Sequence, residues 1–181
     1  MIPSDHFVRF YNEVFKFLEP IGGLPEYYQE ISRDQELHCL KLFWEKGLAG
    51  MAEYWDGIRK EENCVMKCEN KDGIRTGGQV VCPSLTKILD NDATPCRHYC
   101  DHCPGWVLPL FTKCGFYCVY DIMDYAKPCC DSCITESREK AEEWLKNQLA
   151  KGADPECIKH NLDDAEEVER NQARRHAEGW K

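Results

Sequence analysis

Eleven of the chain's thirteen cysteines fall between Cys64 and Cys133, and this crowding constrains the fold and the chemistry more than any other feature. The first residues, "MIPSDHFVRFYNEVF", have neither a charged n-region nor an unbroken apolar stretch, so no signal peptide is expected. No run approaches the ~18 apolar residues of a membrane span, and no membrane association is expected. Together these readings predict a cytoplasmic protein, where thiols stay reduced. An odd cysteine count there favours metal ligation or thiol chemistry over a disulfide framework. Roughly half of the cysteines are expected to be small buried hydrophobes, a common role for a free thiol.

Around this cysteine-rich middle, the ends read as helix. In "SDHFVRFYNEVFKFLEP", Phe7, Tyr11, Val14, Phe15 and Leu18 share one face, with Ser4 or Asp5 as cap and Pro20, Gly22 and Gly23 as the stop. Residues 34–63 predict a longer helix with a stripe of Leu37, Leu40, Trp44, Leu48, Met51, Trp55 and Ile58, read as core packing. Gly47 and Gly50 weaken it locally and allow a close approach. In the middle, strands are expected near 79–82, over 115–122 and over 129–136, the last two paired through "MDYAKP". Helices follow over 137–152, with Ser137 as N-cap, and over 161–180, a polar segment anchored chiefly by Leu162 and Val168. The expected fold is therefore α+β: N-terminal helices, a small antiparallel cysteine-rich β core, and a C-terminal helical extension. Residues 1–136 would form the domain, and 137–181 would pack on it or on a protein partner. The 181 residues suffice for one buried core.

The net charge of −9, with basic residues interleaved among acids as in "SREKAEEWLK", argues against a nucleic-acid partner. There is no P-loop, dinucleotide fingerprint, H-E-x-x-H or nucleophile elbow.

Two cysteine groups carry the chemistry. Cys96, Cys100 and Cys103, in "CRHYCDHCPGW", have C-x3-C-x2-C spacing, with His98 and His102 interleaved and prolines on both sides favouring a turn. Cys129, Cys130 and Cys133 contain the C-x2-C spacing of half a zinc site. Together they predict a four-cysteine site, or three cysteines with His98 or His102, for zinc or an iron–sulfur cluster; thiolate ligands do not separate the two. The first string also matches the cluster motif of radical S-adenosylmethionine enzymes, but over residues 96–103 alone and without their barrel. Trp106, Phe116 and Tyr117 would either shield a cluster or fill the core. The pairs Cys64/Cys68 and Cys114/Cys118 read as structural; on one strand, the second pair would stand about 13 Å apart. Asp121, Asp124 and Asp131 would cap turns or act as general acids or bases.

The segments "CDHCPGWVLPLFTKCGFYCVYD" and "KPCCDSCITES" resemble the bacterial L-2-amino-thiazoline-4-carboxylic acid hydrolase-like family over roughly residues 35–136. The family's glycine before the later cysteines is replaced here by Lys127-Pro128. The resemblance implies a hydrolase opening a small sulfur- or nitrogen-containing ring. A cysteine nucleophile is then expected, and Cys103 is the candidate, activated by a histidine the fold brings in. His102, its sequence neighbour, reads as poorly placed to face it.

The leading expectation is thus a cytoplasmic cysteine-rich metalloprotein holding zinc or an iron–sulfur cluster, an accessory protein or enzyme subunit of an anaerobic bacterium. The alternatives are the ring-opening hydrolase and a helical interaction module stapled by a structural metal, which would bind a protein partner through its C-terminal helices.

Overall fold

The computed structural model describes residues 3–34, 39–61, 64–90 and 93–178. These residues form seven α-helices and one five-stranded antiparallel sheet, the expected α+β class. Among them, no helix is long and apolar enough to cross a membrane.

The helices are α1 (Pro3–Leu18), α2 (Leu24–Asp34), α3 (Leu40–Glu61), α4 (Pro83–Asp90), α5 (His102–Cys114), α6 (Arg138–Ala150) and α7 (Ala165–Glu178). The strands are β1 (Val65–Lys71), β2 (Ile74–Val81), β3 (Tyr117–Asp121), β4 (Asp131–Thr135) and β5 (Ile158–His160), in spatial order β1-β2-β4-β3-β5. The expected hairpin is β3–β4, with Cys118 opposite Ile134 and Tyr120 opposite Ser132. The later strand starts at Asp131, so Cys129 and Cys130 lie in the connection before it. Segment 137–181 contributes the edge strand β5, paired to β3, and α7, packed on α5.

Strand alternation decides which side chains meet. On one face Tyr117 and Val119 pack with Ala141 of α6, Leu162 and Val168. On the other, Cys118 and Ile134 pack with Phe43 and Met51 of α3 and Leu110 and Phe111 of α5. A third cluster joins Phe15 of α1, Tyr28 of α2, Leu85 and Ile88 of α4, and Tyr99.

Several sequence readings are corrected. Phe7 is exposed, whereas Tyr11, Val14 and Phe15 of the expected face do pack inward, together with the polar Asn12. Leu37 lies outside the described residues. The stripe on α3 is interrupted at Gly47, whose φ of 56° and ψ of −136° only a residue without Cβ adopts easily; the chain folds back there and brings Gly50 against the Leu42 carbonyl. Cys64 precedes β1 and Cys68 lies within it. Cys114 ends α5 while Cys118 lies in β3, so both are buried in the core without sharing a strand. Residues 96–106 are not an extended turn: a 3-10 turn at Tyr99–Asp101 runs directly into α5. Pro104 sits in the first turn of α5, where its missing N–H costs no helical hydrogen bond.

Buried asparagines tie these elements together. Asn161 donates to Thr112 Oγ1 and the Phe116 carbonyl, each at 2.9 Å, and accepts from the Cys118 N–H at 2.7 Å. Asn12 donates to the Thr94 carbonyl at 3.0 Å and accepts from the Cys96 N–H at 2.7 Å. Asn161→Ala strands three buried polar partners and is expected to lower the unfolding free energy by about 2–4 kcal/mol in urea titration. A loss below about 0.5 kcal/mol, the scale of an ordinary surface change, would contradict this staple.

Candidate functional site

A cavity of about 520 Å³ opens between the sheet face that carries Tyr120 and the helices α3, α4 and α5. The start of α5, the β2–α4 junction and the end of the β3–β4 connection converge on it. They bring in Cys100 and Cys103, Cys82, and Cys129 and Cys130, respectively. The connection is held to β2 and the junction by backbone bonds: Cys130 N–H to the Gln79 carbonyl at 3.1 Å and Cys82 N–H to the Pro128 carbonyl at 2.6 Å.

The structure divides the expected ligand residues. Cys100, Cys103, Cys129, Cys130 and His102 line the cavity. Cys96 is buried elsewhere, its Sγ 3.5 Å from Glu19 Oε2. Cys133 alternates with Ser132 and Ile134 along β4 and points to the opposite sheet face, near Asp131. His98 stands apart, with Nδ1 3.2 Å from Asp101 Oδ2 and Nε2 3.7 Å from Glu19 Oε1. Among the described residues, no three His, Cys, Asp or Glu side chains form a group that could hold a metal ion. Phe116 and Tyr117 are core residues, whereas Trp106 lines the cavity. Asp121, Asp124 and Asp131 each accept a local backbone N–H, from Met123, Ala126 and Ser132, as turn-capping aspartates do.

The arrangement around Cys103 overturns the reading of His102 as poorly placed. His102 Nε2 lies 3.3 Å from Cys103 Sγ, because the neighbouring side chains at the start of α5 fold toward each other. The imidazole is buried among Phe15, Tyr99 and Trp106, with Tyr99 and Trp106 each 4.8 Å away between ring centres. Its Nδ1 lies 2.5 Å from the Tyr99 carbonyl. A carbonyl only accepts, so Nδ1 carries the proton and Nε2 presents a lone pair to the thiol. The Tyr120 hydroxyl reaches Cys103 and lies 3.2 Å from Cys130 Sγ.

Electrostatics keep this pair neutral at rest. Burial lowers the His102 pKa to about 4 despite the Tyr99 hydrogen bond. Burial also pushes the Cys103 thiol up to about 11, against the Tyr120 hydrogen bond, which favours the thiolate. Burial raises Cys82, Cys100 and Cys130 too, and the nearness of the other thiols adds to it. Tyr120 is held well above its usual value by burial and stays a hydrogen-bond donor. A thiol, an imidazole nitrogen facing it and a carbonyl that orients the imidazole are therefore in place, with the proton still on sulfur.

Sequence reading missed Cys82 and Tyr120. Tyr120 was accessible in principle, since alternation in "GFYCVYDI" places it on the face of Cys118. Cys82 had no local signal, as only the pairing of β2 with β4 brings it near Cys130. Compared with protein families, curated proteins and solved structures, the chain gives no significant match.

Two pH dependences follow. His102 is harder to protonate in the fold than in the unfolded chain, so its contribution is present above pH 6.5 and lost as pH falls toward 4. Between those limits the wild type should lose about 3 kcal/mol more stability than His102→Gln, measured by urea titration at each pH; equal losses would contradict a buried neutral imidazole. Alkylation of Cys103 by iodoacetamide, followed by peptide mass spectrometry, should rise about tenfold per pH unit through pH 9, because the thiolate appears only toward pH 11. A rate already flat between pH 6 and 8 would indicate a preformed thiolate–imidazolium pair.

Proposed function

We propose that the chain is a small-molecule hydrolase in which Cys103 is the nucleophile and His102 the general base. The observation that carries this reading is His102 Nε2 at 3.3 Å from Cys103 Sγ, with Nδ1 anchored 2.5 Å from the Tyr99 carbonyl. The pair opens onto a cavity of about 520 Å³, a size suited to a small organic substrate. The sequence's resemblance to the aminothiazoline-carboxylate hydrolase-like family supports the same reaction class.

In this mechanism, Cys103 Sγ adds to a substrate carbon doubly bonded to nitrogen or oxygen as its proton passes to His102 Nε2. Attack and proton transfer are coupled, because the resting thiol and imidazole are both neutral. The Tyr120 hydroxyl donates to the sulfur as it gains charge, and the position of Cys103 in the first turn of α5 favours that charge further. The imidazolium then protonates the departing ring atom as its bond to the carbon breaks. Water, deprotonated by His102, attacks the resulting thioester or thioimidate and releases Cys103. Cavity walls that include Trp106 and Phe111 limit bulk water at this step.

The test is ring opening of 2-aminothiazoline-4-carboxylate, followed by the appearance of a free thiol. Cys103→Ser should lower turnover by at least about 10³-fold. His102→Gln should lower it by about 10²–10⁴-fold, and Tyr120→Phe by about tenfold. Cys133→Ala, on the other sheet face, should retain wild-type turnover. Activity that survives Cys103→Ser would remove Cys103 as the nucleophile, and a wild-type protein inert toward this substrate would remove the ring-opening reading.

A further inference from the structure

We propose that Arg75 forms an anion-binding subsite at the far end of this cavity, and that it selects molecules carrying a carboxylate. As a statement about substrates, this rests on the hydrolase reading above; as a statement about binding, it stands on the following geometry.

Arg75 lies on β2, lines the cavity and is only 6% exposed. Its one side-chain hydrogen bond among the described residues runs from Nη1 to the neutral amide oxygen of Asn70, at 2.9 Å. Among those residues it has no carboxylate partner, although taking a guanidinium out of water is costly unless an anion accompanies it. Its carbon centre lies 5.6 Å from the centroid of Trp55, which also lines the cavity and gives the cation an aromatic shelf. Asn70 occupies one of five N–H donors, leaving a fork whose shape matches two carboxylate oxygens.

The position along β2 says how such a molecule would lie. Gln79, whose N–H lies 3.5 Å from Cys130 Sγ, marks the thiol end of the cavity. Arg75 is four residues earlier, about 13 Å by the rise of a strand. Gly77 and Gly78 lie between and line the cavity, so no β2 side chain divides the two ends. They are forced to be glycine by contact with neighbouring backbone: a Cβ would lie 1.8 Å from the Lys67 carbonyl oxygen at Gly77 and 2.3 Å from that of Cys130 at Gly78.

Two unpaired buried atoms add polar contacts toward the thiol end. Gln79 Oε1 accepts no hydrogen bond and Trp106 Nε1 makes none among the described residues, and both residues line the cavity. Of the three cations among the described lining residues, Arg75 alone is buried: Lys87 is half-buried, and Lys127 is exposed and paired with Asp124 at 3.0 Å. A single guanidinium beside a neutral amide balances the single charge of a carboxylate better than a phosphate dianion. The ligand is thus a carboxylate with an apolar or aromatic body lying along Trp55 and a polar group toward Gln79.

The test uses unreactive probes, so its outcome does not depend on catalysis. Binding of 4-phenylbutyrate and its neutral amide, 4-phenylbutanamide, is measured by isothermal titration calorimetry on the full chain, together with 3-phenylpropylphosphonate. Wild type and Cys103→Ser are expected to bind the carboxylate at least about tenfold tighter than the amide. Arg75→Met should erase that preference, and Arg75→Lys, which keeps the charge but not the fork, should retain part of it. Equal affinity for carboxylate and amide, a preference that survives Arg75→Met, or no saturable binding at millimolar concentration would overturn the subsite. Tighter binding of the phosphonate than of the carboxylate would overturn the assignment to carboxylates.

Discussion

The buried amide of Asn161 fixes the relation between α5 and the sheet, and the site depends on that relation. Its three hydrogen bonds reach the last turn of α5, the carbonyl that follows that helix, and the first strand after it. Asn171 adds a bond from α7 to the Thr112 carbonyl at 3.1 Å, so the same turn of α5 is held from a second direction. With its C-terminal end pinned, α5 projects its first turn over Tyr120 and Cys130. Asn12 performs the matching task upstream, holding Thr94 and Cys96 where the chain enters the turn that leads to His102. Short amides reach several backbone groups at once and leave no buried donor unpaired, which explains their use at both ends.

The site built on this frame joins hydrophobic burial to a small number of directed polar groups. Aromatic rings around His102 remove water and make the charged imidazole costly, while the Tyr99 carbonyl dictates which nitrogen holds the proton. The thiols nearby experience the same desolvation and are held as neutral groups at physiological pH. In the proposed hydrolase, a cysteine in such surroundings is inert until a substrate excludes more water and supplies an electrophile, which limits side reactions of an otherwise reactive group. Tyr120 and the start of α5 supply stabilisation that matters only once sulfur gains charge.

Much of the architecture was legible in the sequence, and the failures have identifiable causes. Aromatic and β-branched composition in "GFYCVYDI", with "CCDSCITE" as its partner, marks the β3–β4 pair, and Ser137 caps α6 by accepting the Lys140 N–H as its position suggests. The first turn of α5 was misread because Pro104-Gly105 carries turn chemistry, yet proline is also at ease among the first helical residues. β1 and β5 escaped because "VMKCENK" is largely exposed and "IKH" is too short to show a period; sheet pairing, not local pattern, makes them strands. The cysteine groups illustrate the limit of spacing most clearly. Cys130 and Cys133 are three residues apart, but the entry into β4 turns one toward the cavity and strand alternation sends the other to the opposite face. Cys82 and Cys130, forty-eight residues apart in the numbering, meet across a backbone junction. His102 was set aside as too close in sequence to face Cys103, but the start of a helix lets adjacent side chains converge.

In the resting site His102 is neutral, protonated on Nδ1, and offers Nε2 to Cys103. Long-range ¹H–¹⁵N NMR correlations of the His102 ring at neutral pH measure this directly, with assignment by loss of the signals in His102→Gln. An Nδ1–H tautomer with a pyridine-like Nε2 is expected. An Nε2–H tautomer, or an imidazolium with both nitrogens protonated, would contradict it.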